Sequence, residues 1–187
     1  ELLAALERLE SNPFLLCKSS EISSLFLNFL SQTLDMASSE EILIPTLTVL
    51  VSLVDEADNF GDEWYELQIP EKVQCVLTYP CIEIQRLAAN LFLSLSSEDG
   101  ISEEKLNVLI ENFLLVAAQW SLMHEDKLTK KYSIWFIGNL FMSSVEFDIE
   151  THAMLIDLMT ELMRVGDEEM FERVCFVAVS HFTTYEM

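Results

Sequence analysis

Basic residues are scarce in this chain. Ten lysines and arginines stand against 32 aspartates and glutamates in 187 residues, a formal net charge of −22. That shortage argues against DNA or RNA backbone binding, which needs clustered Lys and Arg, and disfavours docking on anionic membrane surfaces. Glycine and proline are rarer still, four of each. Strand-rich domains need many turn residues, so long helices are favoured. Four glycines also leave no Gly-rich phosphate loop. The cysteines Cys17, Cys75, Cys81 and Cys175 show no CxxC spacing and sit among apolar neighbours. They read as reduced, buried thiols of a nuclear or cytoplasmic protein. No apolar run reaches the roughly 18 residues of a membrane span, and no signal peptide is recognisable. His124, His152 and His181 are far apart and carry no HExxH spacing. His124 adjoins Glu125 and Asp126 at what reads as a helix start, a poor metal site. Carboxylates are scattered through turns without a distinguishable catalytic pair. The expectation is a protein without enzyme activity, cofactor or metal.

What is present is apolar content, 51% of the chain, enough for a continuous core in a single domain. Four apolar segments share an arrangement of large and small residues. They are Ile44–Leu53, Arg86–Leu95, Lys131–Leu140 and Glu172–His181, each with a polar residue next to its end: Ser52, Ser94, Asn139 and Ser180. The steps between these polar residues are 42, 45 and 41. A near-constant period of this size belongs to two- or three-helix solenoid repeats, armadillo and HEAT, whose units must stack to bury their apolar faces. The expected fold is therefore all-α, a right-handed α-solenoid of such repeats.

A second helix is expected in each unit. Glu21–Met36 carries Leu25, Phe26, Phe29, Leu30 and Leu34 at helical spacing. Pro70 opens another that runs to about Tyr79 before Pro80. Glu103–Met123 and Ile149–Val165 complete the set. Acidic turns separate the units, and Ser102-Glu103-Glu104 places carboxylates at a helix start, where the dipole favours them. The layout is one domain over 1–187, with a partial repeat at 1–18 and repeats at about 21–58, 62–99, 101–146 and 149–187. The opening at Glu1 and the break at Met187 in mid-pattern read as a piece of a longer protein.

The most specific stretch is Ser133-Ile-Trp-Phe-Ile-Gly-Asn-Leu140, followed by Ser143-Ser-Val145. It resembles the third helix of an importin-α armadillo repeat. The resemblance implies that Trp135 and Asn139 face a concave groove. Asn139 would hydrogen-bond the main chain of an extended peptide, and the indole of Trp135 would sandwich lysine stems. The chemistry is reasonable, since residues four apart share a helix face, Asn donates and accepts, and Trp attracts cations. Thr48 and Ser52, Asn90 and Ser94, and Phe176 and Ser180 hold the equivalent positions in the other repeats. They depart from the Trp–Asn pattern, which points to a divergent array with its own ligand. Trp135 has a second reading, as a core aromatic. One turn before the Trp-equivalent positions stand Ile44, Arg86, Lys131 and Glu172; one turn after the Asn-equivalents stand Glu56, Glu98, Ser143 and Thr184.

Rim loops add Asp55, Asp58, Asp62, Glu63, Asp99, Glu146 and Asp148. With Glu56 and Glu98, they suit lysines and arginines of a bound segment, each pair contributing little but many together steering association. Arg86 and Lys131 cut against a purely acidic groove; they pair with local acids or select a partner of mixed charge. Two functions follow. The first is a protein-binding scaffold holding a basic peptide or protein segment, resembling a nuclear import adaptor or chaperone, with no direct nucleic-acid or membrane contact. The second is a structural subunit of a multiprotein complex that packs through an apolar solenoid face, its charge serving solubility.

Overall fold

The computed structural model describes residues 20–36, 39–56, 62–97, 101–143 and 147–165, together with Glu172 and Cys175. The described residues form helices and connecting turns, with no strand among them. The chain divides into two compact units, Glu1–Glu98 and Asp99–Met187.

In the first unit, α1 (Ser20–Met36), α2 (Glu40–Glu56), α3 (Glu63–Glu66), α4 (Ile69–Gln74) and α5 (Ile82–Ser96) follow in order. The most extensive pairing is α2 on α5, with α1 packed against α2 and α4. Leu43, Leu47 and Leu50 of α2 and Ile84, Leu91 and Phe92 of α5 are almost wholly withdrawn from solvent. Burial of each such side chain contributes roughly 1.5–3 kcal/mol. Pro45 lies inside α2 and has no N–H for the carbonyl one turn before it.

The helix expected from Pro70 to Tyr79 is shorter than its sequence suggests. Pro70 does sit in the first turn, but α4 ends at Gln74 and turns carry the chain to Pro80. The Gln85 side-chain amide secures this connection by donating to the Tyr79 carbonyl at 2.9 Å. The acidic turn read as Asp55 to Glu63 gives way at Glu63 to α3, anchored by Trp64, which is only 2% exposed. Between α3 and α4, Gln68 adopts a left-handed backbone (φ 56°), a conformation that costs a non-glycine residue free energy. Beside it, Lys72 reaches back to α1 and donates to Ser31 Oγ at 2.6 Å and Asp35 Oδ2 at 2.7 Å. Ser31 Oγ in turn donates to the Leu67 carbonyl at 3.2 Å.

The second unit holds α6 (Glu103–Met123), α7 (Lys127–Met142) and α8 (Ile149–Val165). Ser102 caps α6 by accepting from the Lys105 amide. α6 packs extensively on α7 and also meets α8. The centre of the α6–α7 contact is an edge-to-face pair, Phe113 and Phe136, with ring centroids 5.0 Å apart. Expectation and structure part at His124–Asp126, which join two helices instead of opening one. His124 is the C-cap of α6, and its Nδ1 accepts from the Asp126 amide at 3.0 Å. Asp126 caps α7, its Oδ2 accepting from the Thr129 amide and hydroxyl, both at 2.9 Å.

Two expectations need correction. α6 is long and apolar enough to cross a membrane by length and composition. Its charges, Glu111 among them, break every uninterrupted apolar run without lowering the average below that of a span. Here 44% of that stretch is buried inside the protein, through Leu109, Phe113, Ala117 and the polar Asn112 and Ser121. Cys75 is exposed and not buried, because it lies just past the short α4; Cys81 and Cys175 are half-buried, and Cys17 lies outside the described residues.

Phe136→Ala is expected to lower unfolding free energy by about 3–5 kcal/mol. Leu115→Ala, at a 73% exposed position on α6, is expected to stay within about 0.5 kcal/mol. Urea unfolding of the full chain followed by circular dichroism checks both.

Candidate functional site

The equivalent polar positions fall on α2, α5 and α7, and on each helix they share one narrow band. From Leu43 to Val54, every residue of α2 is buried except Ile44, Thr48 and Ser52. From Ala88 to Ser96, every residue of α5 is buried except Asn90, Leu93 and Ser94. From Ser133 to Phe141, every residue of α7 is buried except Trp135 and Asn139. Arg86 and Lys131, one turn before these positions, are also half-exposed. Residues four apart stack on one face of a helix, so each helix offers a single polar stripe flanked by core.

Trp135 is thus a stripe residue and not a core aromatic. The other tryptophans are in the interior: Trp64 is 2% and Trp120 9% exposed. Phe176 and Ser180, the fourth pair, lie outside the described residues, as does Thr184; Glu172 is helical and exposed.

The stripes differ in what they offer a ligand. On α2, Thr48 Oγ1 donates to the Ile44 carbonyl at 2.9 Å and Ser52 Oγ to the Thr48 carbonyl at 3.0 Å. These hydroxyl protons are spent on their own helix, leaving oxygen lone pairs as acceptors. On α5, the Asn90 amide makes no side-chain hydrogen bond among the described residues. It can offer a donor and an acceptor together, the requirement for holding a peptide main chain. On α7, the Lys131 ammonium lies 4.7 Å from the centroid of the Trp135 ring, within cation–π range. Sequence reasoning placed Lys131 one turn before Trp135 without pairing them. Their four-residue spacing was the signal.

The acidic rim is only partly within view. Asp58, Glu98, Asp99 and Glu146 lie outside the described residues, while Asp55 and Glu56 belong to the last turn of α2. Asp62 and Glu63 are exposed, with Glu63 Oε1 accepting from Ser24 Oγ at 2.6 Å. Asp148 is committed to its own backbone. Its Oδ1 accepts from the Glu150 and Thr151 amides, each at 2.9 Å, and Oδ2 from the Thr151 hydroxyl at 2.7 Å. Those bonds, first the one from the Thr151 amide, hold its carboxyl below the ordinary value. Ser143 similarly closes α7, its Oγ donating to the Leu140 carbonyl at 2.6 Å. Among the described residues, no group of three or more His, Cys, Asp or Glu is placed to hold a metal ion.

Because the Asp148 carboxyl is depressed, its capping contribution is complete above the ordinary carboxylate range. It is lost as pH falls through the folded-state value. Protection of the Glu150 and Thr151 amides against hydrogen exchange, corrected for intrinsic rates, should fall in acid with this titration. In Asp148→Asn the dependence should flatten.

No protein-family profile matches the chain, and no curated protein sequence does. Solved structures do match. One is a designed armadillo repeat protein in complex with the peptide (KR)4, 16% identical, with a TM-score of 0.68 over 96% of this chain and 81% of that one. Another is a computationally designed armadillo repeat protein for modular peptide recognition. It is 16% identical, with a TM-score of 0.72 over 95% of this chain and 73% of that one. At such identity the likeness speaks for the fold alone, and the fold is an all-helical solenoid of armadillo type.

Proposed function

We propose that this chain is a non-enzymatic scaffold for extended, predominantly basic segments of a partner protein, the stripes of α2 and α5 being the surface offered by the first unit and that of α7 the surface offered by the second. The observation that carries this reading is the coincidence of two independent patterns. The positions equivalent by repeat are the half-exposed ones on three helices that are otherwise mostly buried over the same stretches. The −22 charge favours cationic side chains in the bound segment. A structural relative bound to (KR)4 gives the same preference a precedent on this fold. An import adaptor or chaperone for basic cargo, working in the nucleus or cytoplasm, is the cellular role this reading supplies.

A second reading has its own observation. Leu25, Phe29 and Met36 are exposed on α1, and Ile149, Ile156 and Met163 on α8. Their spacings place each trio on one helix face. Such faces suit a fixed subunit of a larger complex, joined through apolar contact.

Salt separates the two. Binding of the full chain to fluorescent (KR)4 should weaken clearly between about 0.1 M and about 1 M salt, as charge pairs are screened. Trp135→Ala and Asn139→Ala should each weaken it about threefold to tenfold with little change in thermal stability. Salt-insensitive association that both substitutions leave intact would move the interface to an apolar face.

A further inference from the structure

α8 carries two apolar rows, and they meet different surroundings. Leu155, Leu158, Met159 and Leu162 are buried. On the other side of the helix Ile149, Ile156 and Met163 are exposed, at 89%, 43% and 39%. Ala153 and Thr160, which stand between them, are exposed as well. The steps along this outer row are four, three, four and three residues. That alternation is the 3.5-residue period of a helix seam that receives another helix. The row is roughly 21 Å long at the helical rise, and its two small residues leave room for larger side chains of a partner. Thr160 Oγ1 donates to the Ile156 carbonyl at 2.9 Å, so covering it strands no hydroxyl proton.

Charge marks one edge of this row. Glu150, Asp157 and Arg164 follow one another at seven-residue steps beside it, the kind of position that sets partner choice in paired helices. Arg164 is already engaged: its Nε and Nη2 donate to the Glu161 carboxylate at 3.0 and 2.6 Å. Glu150 and Asp157 are exposed, and neither carboxylate has a partner among the described residues. An acidic edge along an apolar row, in a chain of net charge −22, fits a helix whose own apolar row is flanked by lysine or arginine. A second copy fits worse. Set antiparallel about Ile156, it brings Asp157 against its own counterpart and one strongly acidic chain against another. On α1 the exposed row Leu25, Phe29, Gln32 and Met36 has similar spacing. Its middle is polar, with Gln32 Nε2 donating to Asn28 Oδ1 at 3.0 Å, and Asp35 beside it is paired with Lys72.

We propose that the outer face of α8 is a docking surface for a basic amphipathic helix of a partner protein. The helix seats its apolar residues on Ile149, Ala153, Ile156, Thr160 and Met163 and sets lysines or arginines along Glu150 and Asp157. This rests on the second reading above, apolar contact with a partner, and gives that contact a place, a shape and a charge. It lies on one helix of the second unit and makes no use of the polar stripes. The apolar row supplies most of the binding, while the acidic edge fixes orientation and turns acidic helices away.

The test titrates the full chain with fluorescein-labelled helical peptides of about three heptads, followed by anisotropy at one ionic strength. One peptide has leucine along its seam, lysine beside the seam, and alanine and glutamine elsewhere. The other has glutamate in place of lysine. The lysine peptide should bind about tenfold more tightly than the glutamate peptide. Ile156→Asp and Ile149→Asp should each weaken it about tenfold, with helix content by circular dichroism unchanged. Leu115→Asp adds the same charge at a 73% exposed position of α6 and should change binding less than about threefold. Glu150→Gln combined with Asp157→Asn should cut the preference for lysine about threefold. Equal effects of Ile156→Asp and Leu115→Asp, or equal binding of the two peptides, overturn the proposal. So does sedimentation that shows the chain alone as a dimer dissociated by Ile156→Asp. Loss of binding in Leu25→Asp instead, at a 74% exposed position of α1, overturns the proposal and keeps the second reading. A lysine peptide that does not bind overturns the proposal alone. Binding that none of these substitutions weakens overturns both.

Discussion

Two helices of this fold, α2 and α7, are buried around almost their whole circumference over their central turns, and almost everything else follows from that constraint. A helix buried on one side can scatter polar residues over half its circumference. α2 and α7 cannot: between Leu43 and Val54, and between Ser133 and Phe141, solvent reaches a strip about one residue wide. The strip is the place where a repeat can vary its side chain without disturbing the stack. Substitution elsewhere on the same turns opens a cavity or forces overpacking. Free variation is thereby confined to few positions per repeat.

Those positions are filled in two ways. The threonine and serine of α2 turn their hydroxyls back onto carbonyls one turn earlier, an arrangement that keeps the strip polar while asking nothing of a ligand. Asn90 of α5 makes no side-chain hydrogen bond among the described residues. Asn112 on α6 makes the contrast plain. It is buried at mid-helix, and its Nδ2 donates to the Val108 carbonyl at 2.7 Å. The same residue type is settled inside the core and kept open on the stripe, which is a difference in role and not in propensity.

How much of this was legible in advance depended on whether the cause was local. The bounds of α6 and α8 could be read because Ser102 with Glu103 and Glu104, and the apolar period of Ile149–Val165, act within a turn or two. The stripes could be read because their four-residue and roughly forty-residue periods are properties of the chain. α3 was hidden: Asp62, Glu63 and Tyr65 look like a polar turn until Trp64 finds its tertiary pocket. The early end of α4 and the left-handed Gln68 likewise answer to packing around Lys72, Ser31 and Asp35, residues distant in sequence. The capping role of Asp148 was not legible, since its charge is visible in sequence and its bonds to Glu150 and Thr151 are not.

Net charge misleads for a related reason. A total of −22 describes the far field, which would steer a basic partner over distances up to a Debye length, longest at low salt. At contact distance the nearby groups decide, and at Trp135 one of them is the Lys131 ammonium, 4.7 Å from the ring centroid. Attraction at long range and selection at short range can therefore favour different side chains of one ligand.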